Sequence, residues 1–169
     1  QALKLCAQYV RQEVAGVFLE PLELIPGREA INQEIIRTLS ASHIPVVLLD
    51  RDIVNFPARS AYDVVGIDNL AAGYRLADHL IRSGARRIVF FSRPASAPTV
   101  LQRIAGVHDA HLTAGLPWAS AQIATGSPDD EAFVRSVVGK PAKHRPDAII
   151  CANDATAAWL LVTLNALGL

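Results

Sequence analysis

Carboxylate, amide and guanidinium side chains follow several short apolar runs of this sequence, and such groups suit the binding of hydroxyl-rich molecules. A carboxylate accepts hydrogen bonds from two hydroxyls, an arginine donates through a rigid planar fork, and an asparagine both donates and accepts. The residues directly after the runs are Glu20, Asp50, Arg51, Asp68, Asn69, Ser92, Arg93, Ser127, Asn153 and Asp154. The pattern predicts a site for a small polyhydroxylated molecule.

Four of these polar residues also stand where a helix is predicted to start. Asp68, Asn69, Asn153 and Asp154 each offer a side-chain oxygen to the free N–H groups of a first helical turn. Helix capping is therefore an alternative to ligand binding for each of them. Asp50 has no helix directly after it, so capping explains it less well.

Sequence signatures of catalysis are absent. The chain contains no G-x-G-x-x-G, no P-loop and no G-x-S-x-G elbow. His108 and His111 have a spacing that a metal pair can use, but no third ligand is suggested nearby, and an exposed helix face is the favoured interpretation. Asp50 or Asp68 with a histidine would make a general base, but nothing in the sequence defines that geometry. We expect no catalytic residue, no metal and no cofactor.

Charge and composition narrow the class of protein. The 169 residues include 16 basic and 16 acidic side chains, whereas a domain that grips DNA phosphates has a basic surplus. No apolar run reaches the roughly 20 residues of a membrane helix, and the first residues do not resemble a signal peptide. Cys6 and Cys151, in a predicted helix and a predicted buried strand, fit a reducing compartment. We expect a cytoplasmic protein with no membrane contact.

Strands and helices that alternate along the chain position these polar residues. Short runs rich in Val, Ile and Phe are apolar on both faces, as in parallel strands buried between helices. The predicted strands are residues 14–19, 44–49, 64–67, 87–91, 121–124 and 148–152, and the predicted helices are 29–42, 70–83, 100–114, 130–138 and 155–167. Parallel strands bind ligands beyond their carboxyl ends, so the polar residues are predicted to converge on one rim of an α/β fold.

Glycine and irregular segments mark the boundaries. Gly84, Gly115 and Gly168 stand at the predicted ends of three helices. The longest irregular segment, residues 51–62, contains Pro57 and follows the second strand. It either crosses between two lobes or is a long surface loop.

Four stretches of the chain resemble the lactose- and galactose-repressor type of transcription regulators. They are IPVVLLDR (44–51), VVGIDNLAAGYRLADHLIRSGARRIVFF (64–91), TVLQRIAG (99–106) and RPDAIICAND (145–154), and NALGL closes the chain. Their order and spacing together are specific, and the resemblance runs over nearly the whole chain. It implies two Rossmann-like lobes with parallel sheets, of the periplasmic-binding-protein-like type I, with an effector in the cleft between them.

The resemblance also implies domain limits and partners. Residues 1–68 would be part of the N-terminal lobe and residues 69–169 most of the C-terminal lobe, with the fold incomplete at both ends. The helix-turn-helix DNA-binding domain of the family is absent from this sequence. The implied partners are a sugar-like effector, operator DNA bound through that helix-turn-helix domain, and a second copy in a homodimer.

Matching positions carry the implied effector site. Asp50 matches the family's hydroxyl-binding aspartate, and Arg103, in the R-x-A-G element, matches its effector-binding arginine. Thr99 matches a position that often contacts the ligand, and Asn153 matches the amide at the end of a C-terminal lobe strand. Asp68 matches a rim position of the cleft.

One position departs from the family's pattern. The family commonly places an aromatic ring over one face of the sugar near the start of the fifth unit, and Ser127 stands near that place in TGSPDDEAF. Trp118 is close in sequence, but it is predicted to lie in the loop before the strand. We expect Ser127 to contact the effector without the stacking surface that favours a pyranose.

The resulting hypothesis is the effector-sensing domain of a bacterial transcription regulator, in which ligand binding closes two lobes and changes DNA binding. A periplasmic sugar-binding protein of a transporter shares the fold and is the alternative. The R-x-A-G element and the stretch GARRIVFF favour the regulator. An α/β enzyme that acts on a sugar or nucleotide is the third hypothesis.

Overall fold

The structure, a computed structural model, describes residues 1–139, 141 and 144–169. In that part of the chain the α-helices are α1 (Ala2–Arg11), α2 (Arg28–Ala41), α3 (Asn69–Arg82), α4 (Thr99–Thr113), α5 (Glu131–Val138) and α6 (Asp154–Ala166). The strands are β1 (Val17–Leu19), β2 (Val46–Leu49), β3 (Val64–Val65), β4 (Ile88–Ser92), β5 (Ile123–Thr125) and β6 (Ala148–Cys151). None of these helices is both long and apolar enough to cross a membrane.

The six strands form two parallel sheets. One has the strand order β1-β2-β3 and the other the order β5-β4-β6. The register aligns Leu48 of β2 with Val64 of β3, and Phe90 of β4 with both Ile123 and Ile150. The α/β fold with parallel sheets that the sequence predicts is therefore confirmed.

The chain divides into two compact units. Unit 1 comprises Gln1–Ile67 with Ala97–Thr99, and unit 2 comprises Asp68–Ser96 with Val100–Leu169. Unit 1 contains the first sheet and unit 2 the second. The irregular segment 51–62 joins β2 to β3 within the sheet of unit 1 and is mostly solvent-accessible, so it is a surface loop.

In unit 1, one face of the sheet packs against α1 and α2. Cys6 of α1 forms a buried cluster with Ile35 and Leu39, which lie four residues apart on one face of α2. Side chains alternate between the two faces of a strand, so Leu48 is fully buried whereas Phe18, on the opposite face, is 73% exposed. Helix packing on one face thus holds the carboxyl ends of β1 and β2 in place.

In unit 2, Phe90 and Phe91 divide the core between the two faces of the sheet. Phe90 packs in a cluster with Ala77 of α3 and Val107 of α4, and Phe91 packs in another with Leu160 of α6. Both phenylalanines are fully buried because consecutive side chains of a strand point to opposite faces. Helices on both faces therefore fix the carboxyl edge of this sheet.

The strands are shorter than the apolar runs that predict them. β1 begins at Val17 rather than at residue 14, and β3 ends before Ile67. β5 starts at Ile123 because Ser120–Gln122 form a short 3-10 helix in front of it. The apolar runs extend into the connections on either side of these strands, where backbone pairing has stopped, and so predict strands that are too long.

The three glycines expected to end helices adopt positive φ. Gly84, Gly115 and Gly168 have φ values of 102°, 66° and 68°, which L residues rarely adopt. The helices α3, α4 and α6 each end one residue before the predicted end.

His111 is buried, contrary to the exposed face expected for this part of α4. Its Nδ1 donates to the carbonyl oxygen of Val107 at 2.8 Å, and its ring lies against Trp118 with 4.7 Å between the ring centres. Trp118 comes from the loop before β5, as expected, and packs against the core of unit 2. Burial by the loop that follows α4 leaves no trace in the periodicity of the helix. Of the two histidines, His108 is exposed and His111 is buried.

Candidate functional site

Asp50 follows β2 in a strained backbone conformation. Its φ is 64°, in the left-handed region that costs free energy for residues other than glycine. Its backbone N–H donates to the carbonyl oxygen of Val65 at 2.8 Å. A Cβ on Gly66 would lie 2.9 Å from the carbonyl oxygen of Asp50, so the segment after β3 packs tightly against this turn. The turn presents a carboxylate side chain that is 41% exposed.

Arg51 joins three carboxylates at the same end of unit 1. Its Nη2 lies 2.7 Å from Glu20 and 2.8 Å from Asp50, and its Nη1 lies 3.2 Å from Glu23 and donates to the carbonyl oxygen of Pro21 at 3.1 Å. Only 9% of the Arg51 side chain is exposed, so these oxygens replace its water. We call these four charged residues the Arg51 cluster. Its one guanidinium is outnumbered by carboxylates, and Glu20 and Asp50 are exposed enough to accept hydrogen bonds from a ligand.

Arg103 of α4 contacts two neutral oxygen atoms in unit 2. Its Nε donates to the side-chain oxygen of Asn69 at 2.8 Å, and its Nη1 donates to the carbonyl oxygen of Ala152. Ala152 directly follows β6, so the guanidinium lies at the carboxyl end of that strand, where the sequence predicts the site. Neither hydrogen bond neutralises the charge of Arg103, and neither uses Nη2.

Asp68 and Asn153 act as helix N-caps. A side-chain oxygen of Asp68 accepts from the N–H of Ala71 at 2.9 Å, and that of Asn153 accepts from the N–H of Thr156 at 2.9 Å. The capping alternative thus accounts for one oxygen of each residue. The second carboxylate oxygen of Asp68 and the Nδ2 of Asn153 lie outside the cap. Asn69, also considered as a cap, contacts Arg103 instead.

Thr99 and Ser127 have surroundings that limit their access to a ligand. Thr99 is the first residue of α4 and is only 6% exposed. The hydroxyl of Ser127 donates to the carboxylate of Asp129 in the loop after β5. This hydrogen bond, with a smaller contribution from the charge of Arg93, lowers the pKa of Asp129 below its usual range.

The structure brings three of the predicted residues, Arg103, Asn153 and Asp68, to one region of unit 2. Arg103 contacts Ala152, and Asn153 is the next residue. Asp68 directly precedes Asn69, which also contacts Arg103. These residues belong to three different elements, yet they share the carboxyl edge of one sheet.

Two functional candidates are missing from the six expected effector ligands. Arg51 ties Asp50 to the acidic residues of unit 1, and Asn69 ties Arg103 to α3. Each directly follows a predicted ligand in the sequence, and this position was the signal that could have identified them. Position after a strand alone does not show which other side chain a residue contacts.

The described residues show no sign of a metal site or a reactive thiol. Within residues 1–139, 141 and 144–169, no group of three or more His, Cys, Asp and Glu side chains could hold a metal ion. Burial raises the pKa of the Cys151 thiol to about 11, and burial also raises the pKa of Cys6. Both thiols therefore stay protonated near neutral pH, which makes them poor nucleophiles.

Comparisons of the sequence with known proteins find relatives of this chain. A family model described as periplasmic binding proteins and sugar binding domain of LacI family matches residues 24–168. An arabinose metabolism transcriptional repressor of Geobacillus stearothermophilus is 27% identical over 167 residues, which are 96% of this chain and 44% of that protein. The maltose regulon regulatory protein MalI of Escherichia coli is 27% identical over 144 residues, 80% of this chain and 40% of that protein. The chain thus spans less than half the length of these relatives.

Solved structures share the fold. A LacI family transcriptional regulator from Mycobacterium smegmatis matches with a TM-score of 0.73 and 26% identity over 98% of this chain and 58% of that chain. The transcription regulator CcpA of Lactococcus lactis matches with a TM-score of 0.75 and 20% identity, over 98% and 57% of the two chains. The transcriptional regulator CelR in complex with cellobiose matches with a TM-score of 0.73 and 24% identity, over 98% and 48%. Because the family model covers most of its length, this chain belongs to the family of periplasmic binding proteins and LacI-type sugar-binding domains.

Proposed function

We propose that this chain is the effector-sensing part of a bacterial DNA-binding transcription regulator and that it binds a small polar molecule, a sugar or a sugar derivative. The observation that carries the proposal is the guanidinium of Arg103, held at the carboxyl edge of a parallel sheet by two neutral acceptors. Both curated relatives are regulators named after sugar metabolism, which supports a sugar-like effector.

Three of the six expected ligands provide the principal contacts in this proposal. Arg103 donates from Nη2, Asn153 donates from Nδ2, and Asp50 accepts through its exposed carboxylate. Asp68 contributes only its second carboxylate oxygen, because the first caps α3. Thr99 and Ser127 have lesser roles, since one is buried and the other already donates to Asp129.

Two contacts on two units would let a ligand act as a switch. We assign residues 1–68 to the N-terminal lobe and residues 69–169 to the C-terminal lobe of the sensor. A ligand that uses both Asp50 and Arg103 stabilises whichever arrangement of the lobes lets both residues reach it. It shifts that equilibrium only by the difference between its affinities for the two arrangements.

The remaining features of a regulator follow the same proposal. The bias between arrangements passes to a helix-turn-helix domain that binds operator DNA, and the protein works as a cytoplasmic homodimer without catalytic activity. The zero net charge supports the division of labour, because a domain that binds DNA phosphates itself has a basic surplus.

A thermal-shift screen of the purified protein with L-arabinose, maltose, cellobiose and D-ribose tests the sensor function. A molecule that binds only the folded state raises the melting temperature. For each sugar that does so, we expect Arg103→Gln to weaken the affinity measured by calorimetry by about 2–3 kcal/mol, because it removes a charged donor. Arg82→Gln is the matched control, since Arg82 forms an exposed ion pair with Asp78. Equal affinities of the Arg103→Gln and wild-type proteins would refute the role of Arg103.

A periplasmic sugar-binding protein is the second candidate, because the description of the matching family includes such proteins. The two candidates differ in what ligand binding controls. In a regulator, the sugar that raises the melting temperature also changes the affinity of the full-length protein for the DNA upstream of its own gene. Unchanged DNA affinity would favour the transport protein.

A further inference from the structure

Helices α3 and α4 of unit 2 cross with their backbones in contact at two glycines. A Cβ on Gly73 of α3 would overlap the carbonyl group of Arg103, and a Cβ on Gly106 of α4 would overlap the carbonyl oxygen of Leu70. Backbone atoms cannot rotate away as the end of a side chain can, so a larger residue at either position would push the helices apart. The two glycines therefore set the separation of α3 and α4.

The crossing also places Asn69 against Arg103. Asn69 lies four residues before Gly73 on α3, and Arg103 lies three residues before Gly106 on α4, so on each helix the polar residue and the glycine share a face. The Nε of Arg103 donates to the side-chain oxygen of Asn69 at 2.8 Å, and Asn69 is only 3% exposed. The hydrogen bond is therefore shielded from competing water.

Two hydrogen bonds at different nitrogen atoms define the plane of the guanidinium. Asn69 holds Nε from a helix, and the carbonyl oxygen of Ala152 holds Nη1 from the end of β6. Capping of α3 does not require Asn69, because Asp68 accepts from the N–H of Ala71. The side-chain oxygen of Asn69 accepts from Arg103.

We propose that Asn69 is a positioning residue for Arg103. The glycine crossing sets the distance between the helices, and the Asn69 oxygen orients the guanidinium before a ligand arrives. The inference rests on the proposed function, in which Arg103 binds the effector. A guanidinium that is already oriented loses less conformational freedom on binding, so its contacts contribute more to affinity.

The NMR signal of the Arg103 Nε–H reports this orientation in the absence of any ligand. The signal is assigned by its disappearance in Arg103→Lys, which has no such group. In the wild-type protein we expect slow hydrogen exchange at this position. Asn69→Leu removes the acceptor and Asn69→Ser draws it back toward the backbone on a shorter side chain, so exchange should become at least about tenfold faster in both. Asn69→Asp keeps an acceptor oxygen and should restore exchange to within about threefold of wild type.

Asn32→Leu is the matched control. Asn32 is a second buried asparagine, in α2 of unit 1. Its side-chain oxygen accepts from the backbone N–H of Leu22 at 2.9 Å, and its Nδ2 donates to the carbonyl oxygen of Leu22 at 3.1 Å. Its replacement should lower the melting temperature and leave the exchange of the Arg103 Nε–H unchanged. If Asn69→Leu does not fold, the smaller and polar Asn69→Ser gives the result. Unchanged exchange in the folded Asn69 variants, or an equal change in Asn32→Leu, would overturn the proposal.

Calorimetric titrations with L-arabinose, maltose, cellobiose and D-ribose separate this inference from the proposed function. For a sugar that binds, Asn69→Ser should weaken binding about fivefold in the wild-type background and should have no further effect in Arg103→Gln, because coupled residues are not additive. If Arg103→Gln leaves every affinity unchanged while the Asn69 variants still accelerate exchange, the effector role of Arg103 fails and its positioning by Asn69 stands. An additive loss of affinity in the double variant would contradict the positioning role.

Discussion

Two arginines lie at the carboxyl edges of the two sheets, and their acceptors differ in charge. Arg51 of unit 1 is 9% exposed in its side chain and contacts Glu20, Glu23 and Asp50. Arg103 of unit 2 contacts an amide oxygen and a backbone carbonyl oxygen. The acceptors of Arg51 are carboxylates that neutralise its charge, whereas these two acceptors of Arg103 are uncharged. We therefore propose that Arg51 stabilises its unit and that Arg103, whose acceptors are uncharged, offers its charge to a ligand.

The two units also hold their candidate ligands by different means. Asp50 projects from a backbone with φ at 64°, and the strain is offset by pairing with β3 and by the Arg51 cluster. Arg103 projects from a regular helix whose place is set by the contacts of Gly73 and Gly106. Unit 1 relies on ion pairs and local strain, and unit 2 relies on close helix packing and neutral hydrogen bonds.

Replacement of the two arginines should produce the largest contrast. Arg51→Leu leaves three carboxylates together without their counter-ion, so we expect a loss of about 2–3 kcal/mol in the free energy of unfolding. Arg103→Gln leaves only neutral groups behind and should cost less than about 1.5 kcal/mol. Urea unfolding of both variants at neutral pH measures the difference. Equal losses would show that the two arginines stabilise their units alike.

A smaller effect is expected when the charge of Asp50 alone is removed. Asn tolerates positive φ, so Asp50→Asn keeps the turn while it loses the carboxylate. Arg51 retains Glu20 and Glu23, and stability should therefore fall by less than about 1 kcal/mol, whereas affinity for a bound sugar should fall about tenfold. Calorimetry and thermal unfolding check the two quantities.

Asp52→Asn provides the comparison for Asp50→Asn. The carboxylate of Asp52 accepts from the backbone N–H groups of Ile53 and Ser60 in the loop after β2, and its replacement should reduce stability without a change in sugar affinity. The opposite result, with stability lost and affinity kept in Asp50→Asn, would make Asp50 a purely structural member of the Arg51 cluster.

Much of the fold could be predicted from the sequence because local patterns determine it. Runs such as IVFF in β4 are apolar on both faces, which requires helices on both sides, and Phe90 and Phe91 indeed pack against different helices. The glycines at the helix ends are equally local signals, since they permit a positive φ. The edge of each sheet at which Asp50 and Asn153 lie follows from the strand direction alone, whereas the place of Arg103 was implied only by the family resemblance.

The contacts of the site could not be predicted in the same way, because they join residues far apart in sequence. Asp68 and Asn69 both stand at the start of α3, and only the approach of Arg103, 34 residues later, shows that one caps the helix and the other holds the arginine. Arg51 contacts Glu20 from 31 residues away. In each case the partner, not the residue type, decides the role.

An ion pair at the amino edge of the sheet in unit 2 tests whether burial makes the Arg51 cluster important for stability. Its removal should have the smallest effect on the free energy of unfolding. Asp147 accepts from the backbone N–H groups of Arg86 and Arg87 at 3.0 and 2.8 Å and pairs with the side chain of Arg87, which is 49% exposed compared with 9% for Arg51. These contacts, the N–H of Arg86 first, lower the pKa of Asp147. A lowered pKa in the folded state adds stability above the unfolded value near pH 4, and this stability is lost as the pH falls through the folded value.

Asp147→Asn should therefore be less stable than wild type by under about 1 kcal/mol at pH 7, and the gap should close in acid. Urea unfolding between about pH 2 and pH 7, a range that spans the carboxyl pKa values, measures the difference in the free energy of unfolding. A gap that stays constant with pH would show that the charge of Asp147 contributes nothing, and a gap as large as that of Arg51→Leu would show that burial is not what distinguishes the two pairs.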